Sequence, residues 1–253
     1  AEQARSSELR MRRFITDASH ELRTPLTTIR GFAELYRQGA ARDVEMLMSR
    51  IESESRRMGL LVEDLLLLAR LDAQRPLDQH RVDLLTLATD AVHDAQSIAP
   101  QRRISMEVFD GPGTPEVIGD EARLRQVLGN LVANALQHPP ERAGIKVRVG
   151  TTAADAVLEV VDQGPGMDQQ DAQRVFERFY RTDSSRTRSS GGTGLGLSIV
   201  DSLVHAHGGT VTVATAPGQG CRFRVALPRV ADVAEGVEAD AGRATVPSSA
   251  SGS

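Results

Sequence analysis

Residues 44–71 read VEMLMSRIESESRRMGLLVEDLLLLARL, and this stretch decides the first half of the fold. Its apolar side chains recur at multiples of seven residues and form three rows along the stretch. The rows are Val44, Ile51, Met58 and Leu65; Leu47, Leu61 and Leu68; and Met48, Val62 and Ala69. Such a repeat is typical of a helix that packs lengthwise against other helices. The stretch therefore predicts one long helix with a wide apolar face.

The sequence before this helix predicts a second, antiparallel helix. Between about residues 6 and 36 the apolar residues form one stripe at helical spacing, made of Phe14, Ala18, Leu22, Leu26, Ile29, Ala33 and Tyr36. Gly39 is expected to end this helix, and Asp43 to cap the next one. Because two helices alone leave apolar surface exposed, pairing with a second copy in a four-helix bundle is the economical way to bury it. Residues 1–75 therefore predict the helical hairpin of a homodimer.

The pattern changes after a polar linker that contains Pro76. From residue 81 onward, helix-like and strand-like segments alternate, which predicts an α/β sandwich at residues 81–230 and an α+β chain overall. The polar, glycine-rich residues 182–194 are expected to form a mobile loop, and residues 231–253 a disordered tail. The expected helices are 84–98, 120–138, 169–177 and 195–207, and the expected strands are 103–109, 116–118, 145–152, 155–162, 210–216 and 221–228.

The composition limits what the chain can bind. Its 30 basic and 34 acidic residues give a net charge of −4, so nucleic-acid binding has little support. The single cysteine, Cys221, cannot form an intrachain disulfide, which suits a reducing compartment. The sequence contains no apolar run long enough to span a membrane, and it opens without Met in what reads as the middle of a helix. We therefore expect a cytoplasmic piece whose upstream part is missing.

His20 stands out on the first helix because it points away from the apolar stripe. It lies two residues from both Ala18 and Leu22, and two residues rotate a helix by about 200°. Pro25 follows within the same helix, and its missing N–H leaves the Glu21 carbonyl without its helical partner, which predicts a kink. A neutral imidazole on an exposed face is a nucleophile available to solvent or to a docking partner.

The residues around His20 add a family resemblance. Residues 17–26, DASHELRTPL, resemble the H-box of class I sensor histidine kinases. In that family the histidine accepts a phosphoryl group from ATP, so the resemblance implies that His20 is the phosphoacceptor. It also implies that Glu21 acts as the general base. Thr24, one turn further on, matches the residue that helps to orient a water for dephosphorylation of the response regulator.

Two asparagines on the predicted helix 120–138 form the next candidate site. Asn130 and Asn134 are four residues apart, so their side-chain oxygens lie on one face, where they can complete the shell of a Mg²⁺ bound mostly by phosphates and water. Residues 130–138, NLVANALQH, resemble the N-box of the same kinase family. The resemblance implies a nucleotide and Mg²⁺ site at Asn130 and Asn134, with His138 beside the nucleotide. Gln137 departs from the pattern, since many members carry a Lys there.

A strand that ends at Asp162 leads into the next motif. Residues 162–166, DQGPG, resemble the G1 box, which implies that Asp162 reads adenine. A carboxylate at a strand end can accept a hydrogen bond from the exocyclic amine of the base. Gly164 and Gly166 would let the backbone approach the base closely.

The phosphate end of the predicted site comes from two further motifs. Residues 175–181, VFERFYR, resemble the F-box, and Arg181 is a candidate ligand of the γ-phosphate because guanidinium binds phosphate in a bidentate manner. Residues 191–197, GGTGLGL, resemble the G2 box and open a helix, where free backbone N–H groups can hold an anion. The implied nucleotide contacts are Thr193, Gly194, Leu195, Gly196 and Leu197.

Five motifs in family order imply a Bergerat-type ATP-binding domain after the helical bundle. The resemblance also implies the cytoplasmic portion of an inner (plasma) membrane protein, connected to the membrane only through the missing upstream segment. The implied reaction is autophosphorylation of His20 from ATP and Mg²⁺, followed by transfer to an aspartate of a response regulator receiver domain, and both cis and trans transfer fit the sequence. One alternative is an ATPase of the wider superfamily with the Hsp90, gyrase and MutL types, against which the H-box argues. The other is a dimeric signalling scaffold that binds nucleotide poorly, against which the intact motif residues argue.

Overall fold

The structure of the chain is a computed structural model, and it describes residues 2–40, 43–73, 76–137, 143–182 and 192–230, with side chains from Phe14 onward. Two long helices come first, α1 (Glu2–Arg37) and α2 (Val44–Asp72). Gly39 has a φ of 68°, and the Asp43 carboxylate accepts a hydrogen bond from the Met46 N–H at 2.8 Å. Both observations confirm the expected end of the first helix and the expected cap of the second. Helix α1 is continuous through Pro25.

The rows of apolar residues on α2 have different environments. Leu47, Leu61 and Leu68 are buried, and Leu61 and Leu68 join the main hydrophobic core. Val44 and Val62 are exposed by 44% and 42%. The hairpin therefore buries the row of Leu47, Leu61 and Leu68 against its own chain and leaves members of both other rows exposed.

The stripe predicted on α1 is only partly covered in the same way. Ala18 is buried, and Leu22 packs partly buried against the core. Leu26 and Tyr36 are exposed by 57% and 53%. The buried side of α1 runs through Ala18 and Pro25, so Leu26 lies beside the contact with α2 and not within it.

The second domain is built from two sheets and four helices among the described residues. Its elements are β1 (His80–Asp83), α3 (Leu84–Ile98), β2 (Ile104–Phe109), β3 (Glu116–Gly119), α4 (Glu121–Gln137), β4 (Ile145–Thr151), β5 (Asp155–Asp162), α5 (Gln169–Arg174), α6 (Gly196–Ala206), β6 (Thr210–Thr215) and β7 (Cys221–Pro228). Five strands form a sheet in the order β2-β4-β5-β7-β6, in which β2 and β4 are parallel and the other pairs antiparallel. Strands β1 and β3 form a separate antiparallel pair.

Helices α3, α4 and α6 pack against one face of the five-stranded sheet and enclose the core. Strand β5 shows the two faces, because Leu158 and Val160 belong to the core while Glu159 points to the other side. The buried Glu159 carboxylate there binds Arg148 and Arg224 at 2.6 and 2.7 Å. Two guanidinium groups offset the cost of burying this charge. The predicted α/β sandwich within an α+β chain is confirmed.

Two elements differ from the sequence prediction. Strand β1 begins in the segment expected to be linker, because its four residues gain their ladder only from pairing with β3. Helix α5 ends at Arg174, before the expected residue 177, and turns follow it up to Phe179, which has a φ of 61° that no helix allows. Residues 183–191 of the predicted loop 182–194, together with His138 and the predicted tail, lie outside the described residues. The domain boundaries 1–75, 81–230 and 231–253 stay predictions.

Candidate phosphoacceptor and nucleotide sites

His20 lies on the exposed face of α1, as its position on the helix predicted. Within the described part of the chain, no hydrogen bond engages its imidazole, and none joins it to Glu21. The Thr24 hydroxyl donates to the His20 carbonyl at 3.3 Å, and the Ser19 hydroxyl donates to the Ile15 carbonyl at 2.7 Å. His20 therefore presents an unrestrained ring to solvent, with Glu21 and Thr24 close by on the same helix.

A cavity of about 890 Å³ lies between α2, α4, the end of β5 and the start of α6. This volume falls in the range of small-molecule binding pockets, about 300–1,000 Å³. Gly164 and Leu195 do not line it, and the Leu195 side chain is buried in the core. The candidate residues that do line the cavity are Asn130, Asn134, Asp162, Gly166, Arg181, Thr193, Gly194, Gly196 and Leu197.

Asp162 closes one end of the cavity at the last residue of β5. Its side chain is 6% exposed, and one carboxylate oxygen accepts the Gly164 N–H at 2.8 Å. Gly166 has a φ of 67°, and a Cβ there would lie 1.9 Å from the Ala216 carbonyl oxygen. Only glycine fits such a position, so Gly166 lets the loop after Asp162 pack against the Ala216 carbonyl, beside the buried carboxylate.

Asn130 and Asn134 are half-buried on α4, and both face the cavity. The Asn130 amide nitrogen donates to the Gly196 carbonyl at 3.2 Å, which ties α4 to the start of α6 and fixes the orientation of the side chain. The described residues contain no group of three or more His, Cys, Asp or Glu that could hold a metal. The neutral side-chain oxygens of Asn130 and Asn134 suit a cation whose remaining ligands come from another bound molecule and from water.

The loop before α6 joins the F-box segment. The Phe179 N–H donates to the Gly194 carbonyl at 2.9 Å, and Gly194 has a φ of 72°. The Thr193 hydroxyl accepts the Leu195 N–H at 3.3 Å. Helix α6 begins at Gly196, so its unpaired N–H groups and the positive end of its dipole face the cavity.

Comparison with known proteins identifies both halves of the chain. Residues 10–74 match the model of the His Kinase A (phospho-acceptor) domain, and residues 119–231 match that of the histidine kinase-, DNA gyrase B-, and HSP90-like ATPase. The mycobacterial sensor histidine kinase MprB has a solved structure that is 30% identical, with a TM-score of 0.53 over 60% of this chain and 100% of that chain. This chain belongs to the sensor histidine kinase family.

Other sensor histidine kinases are more similar in sequence. The probable sensor histidine kinase TcrY of Mycobacterium tuberculosis is 48% identical over 227 residues, which cover 88% of this chain and 47% of TcrY. The sensor histidine kinase TrcS of the same organism is 46% identical over 234 residues, which cover 88% of this chain and 45% of TrcS. The chain thus spans about half the length of these relatives. No helix in the described ranges is both long and apolar enough to cross a membrane.

One wall of the cavity is formed by α2, and this wall was not predicted from the sequence. Arg57, Leu60, Asp64 and Arg70 line the cavity opposite the residues of the second domain. The Thr193 hydroxyl lies 3.5 Å from an Asp64 carboxylate oxygen. On the sequence alone Arg57, Asp64 and Arg70 lie at polar positions between the apolar rows, a pattern that is typical of a solvated helix face. Their place in the site depends on how the two domains dock, and no local pattern encodes that.

Asp64 titrates in an unusual range because it is half-buried in this wall. The pKa of its carboxyl is raised from 3.8 to about 6, chiefly by burial, with the hydrogen bond from Thr193 acting to lower it and the negative charge of Glu63 acting to raise it. A carboxylate with a raised pKa costs stability when it is ionised. The charged form of Asp64 therefore opposes the docking of α2 against the cavity.

We expect Asp64→Asn to remove one contribution to the dependence of the free energy of unfolding on pH. Between pH 3.8 and about 6 the folded chain binds a proton that the unfolded chain has released. The free energy of unfolding therefore falls as the pH rises through this window, and the loss persists above it. Above pH 6 the variant should be more stable than the wild type by about 1 kcal/mol, a figure discounted because the side chain is only half-buried. Near pH 4 the two should be equally stable.

Urea denaturation between pH 4 and pH 8 measures this difference directly. Glu52→Gln, which removes an exposed carboxylate on the same helix, is the matched control and should follow the wild type at every pH. Identical pH profiles for Asp64→Asn and the wild type would show that the Asp64 carboxyl titrates in its ordinary range.

Proposed function

We propose that this chain is the catalytic portion of a protein-histidine kinase. His20 is phosphorylated from ATP and then passes the phosphoryl group to an aspartate of a response regulator receiver domain. The observation that carries this proposal is the pairing, in one chain, of an exposed H-box histidine with a cavity lined by the N, G1 and G2 motifs. The test is incubation with γ-labelled ATP and Mg²⁺, which should place an acid-labile, base-stable label on the chain.

The cavity residues support one orientation of the nucleotide. Asp162 accepts a hydrogen bond from the adenine amine, and Gly166 lines the cavity beside the base. The phosphates extend toward the start of α6, where Gly194 and the following backbone N–H groups provide a positive environment. ShkA, which is 30% identical with a TM-score of 0.61 over 87% of this chain and 47% of that chain, was solved in complex with AMPPNP, and this supports a nucleotide in the present cavity.

Asn130 and Asn134 are the residues that would hold Mg²⁺ beside the phosphates. Their oxygens are neutral, which suits a cation whose remaining ligands are phosphate oxygens and water. When bound there, Mg²⁺ would supply positive charge that offsets the negative charge of the phosphates. Arg181 lines the same cavity and adds a guanidinium that can reach the transferred phosphoryl group.

Transfer forms one bond to His20 and breaks one bond in ATP. A ring nitrogen of neutral His20 attacks the γ-phosphorus in line, the bond to the β,γ-bridging oxygen breaks, and ADP leaves. The proton on the other ring nitrogen passes to Glu21, so that the product is a neutral phosphoramidate ring. Because His20 does not line the cavity, the domains must move before transfer, or the histidine must come from a second subunit.

Thr24 gives the site its second proposed activity. It is exposed one turn from His20, and its hydroxyl donates to the His20 carbonyl, which leaves the oxygen lone pairs facing outward. An oxygen in that position can accept a hydrogen bond from a water molecule and aim it at a phosphorylated aspartate of the docked regulator. The chain would then act as both kinase and phosphatase toward the same partner.

A homodimer accounts for the apolar surface that the hairpin leaves uncovered. Val44, Met48 and Val62 share one face of α2 and are exposed by 44%, 39% and 42%. Ile15 and Leu26 share one face of α1 and are each exposed by 57%. Pairing two hairpins in a four-helix bundle covers these faces and continues the seven-residue repeat across the interface. We place this dimer on the cytoplasmic side of the membrane, where ATP is supplied.

We expect Val62→Glu to convert the dimer into monomers. The variant places a charge in the middle of the bundle interface, and burying it unpaired in both subunits costs several kcal/mol. Light scattering at micromolar concentration measures the change in mass. Ile98→Glu is the control, since Ile98 is 75% exposed on the second domain and its replacement should leave the mass unchanged. A Val62→Glu chain that stays dimeric would contradict the bundle.

A further inference from the structure

The F-box segment contacts the helical hairpin through Arg178. Its guanidinium makes two hydrogen bonds to the Asp72 carboxylate, at 2.7 and 3.0 Å, at the last residue of α2. The same guanidinium lies 5.1 Å above the centre of the Phe14 ring on α1. A bidentate ion pair combined with a cation–π contact fixes a side chain in orientation as well as in position. Arg178 therefore joins both helices of the hairpin to the second domain.

The next residue, Phe179, extends this contact to the loop that faces the nucleotide. Its ring centre lies 6.4 Å from that of Phe14. Its φ of 61° is the one positive value at a non-glycine residue within the described chain, and this conformation is uncommon for a bulky side chain. Such a backbone persists only where its surroundings hold it in place. The surroundings here are Phe14 on one side and Gly194 on the other.

Phe179 and Gly194 fit together as one unit. The Phe179 N–H donates to the Gly194 carbonyl at 2.9 Å, and a Cβ on Gly194 would lie 3.0 Å from the Phe179 backbone. Gly194 lines the cavity, whereas Phe14 and Asp72 do not. A continuous set of contacts therefore leads from the hairpin to Gly194 in the cavity wall. Phe14 and Asp72, where these contacts begin, lie outside the cavity lining and would not touch a bound nucleotide.

We propose that Phe14 and Asp72 are positioning residues for residues 192–194, which line the proposed phosphate end of the cavity just before α6. They hold Arg178 and Phe179 in the conformation that fixes Gly194, so the hairpin sets the shape of the nucleotide site from outside it. Docking of the hairpin and binding of the nucleotide then strengthen each other by the same factor. Because Phe14 lies in the first half of α1, a displacement of that end of the helix alters nucleotide affinity. This inference rests on the proposed nucleotide site.

The test is the affinity of the full chain for AMPPNP and Mg²⁺, measured by calorimetric titration. Phe14→Ala and Asp72→Asn should each weaken binding about five- to tenfold, at the lower end of typical coupling between sites. The conservative variants Phe14→Tyr and Asp72→Glu keep the ring and the carboxylate and should restore affinity to within about twofold of the wild type. A role in folding alone would change thermal stability and leave the affinity of the folded chain unchanged.

Glu177→Gln is the matched control. It breaks the exposed ion pair between Arg174 and Glu177 in the same segment, at 3.1 Å, without touching the hairpin, and it should bind AMPPNP as the wild type does. If Phe14→Ala and Asp72→Asn bind with unchanged or tighter affinity, the positioning role is wrong. A wild-type chain that binds no AMPPNP would instead contradict the nucleotide site itself, so the two failures are distinguishable.

Discussion

Replacement of His20 by Gln will reduce labelling of the chain by γ-labelled ATP to background, a loss of more than about a thousandfold. Glutamine keeps a polar side chain of similar length, but its amide is not a nucleophile and cannot form a phosphoramidate. His20 is exposed, and its ring makes no hydrogen bond within the described residues, so the substitution should leave the fold and the dimer intact. The loss would therefore report on chemistry and not on stability.

His93→Gln is the matched control for this experiment. His93 is also exposed on a helix, but on α3 in the second domain, and its replacement should leave the label unchanged. Label that survives in His20→Gln would overturn the phosphoacceptor assignment. A wild-type chain that hydrolyses ATP without becoming labelled would favour the ATPase alternative, and one that neither hydrolyses ATP nor accepts the label would favour the scaffold.

The sequence predicted the fold well where each element carries its own pattern. The seven-residue repeat from Val44 defined α2 because a helix buries every third or fourth residue whatever its partner. Strand β1 was missed because its four residues have no pattern of their own and become a strand only through the ladder with β3. Helix α5 was predicted too long because Phe179 takes a left-handed backbone that its contacts with Phe14 and Gly194 select.

The candidate site likewise contains residues that a local motif predicts and residues whose place depends on distant parts of the chain. The motif residues Asn130, Asp162 and Gly194 were found because each motif is a short segment whose letters reflect its own backbone geometry. Asp64 was not predicted as part of the cavity wall, nor Phe14 as a contact of the second domain, since both depend on the docking of two domains. Docking of this kind is a long-range arrangement, and a polar residue between two apolar rows looks the same whether it faces water or a cavity.

The second large effect is expected for Asp162→Asn, which should weaken AMPPNP binding about 10- to 100-fold, as the loss of a hydrogen bond to a charged group implies. The structure explains why so small a change matters. The Gly164 N–H already donates to one oxygen of Asp162 at 2.8 Å, so an asparagine keeps its oxygen there and turns its NH₂ toward the base. Two donors would then face each other at a residue that is only 6% exposed, and an unsatisfied polar pair that is so deeply buried is costly.

Calorimetric titration with AMPPNP and Mg²⁺ measures this loss, and light scattering should show that the dimer is retained. Asp155→Asn, at the opposite end of the same strand, is the control and should bind as the wild type does, because Asp155 lies outside the cavity lining. Normal affinity in Asp162→Asn would remove Asp162 from adenine recognition. The base would then have to be held by the backbone around Gly166 and by apolar contacts such as Met167, neither of which distinguishes a carboxylate from an amide at residue 162.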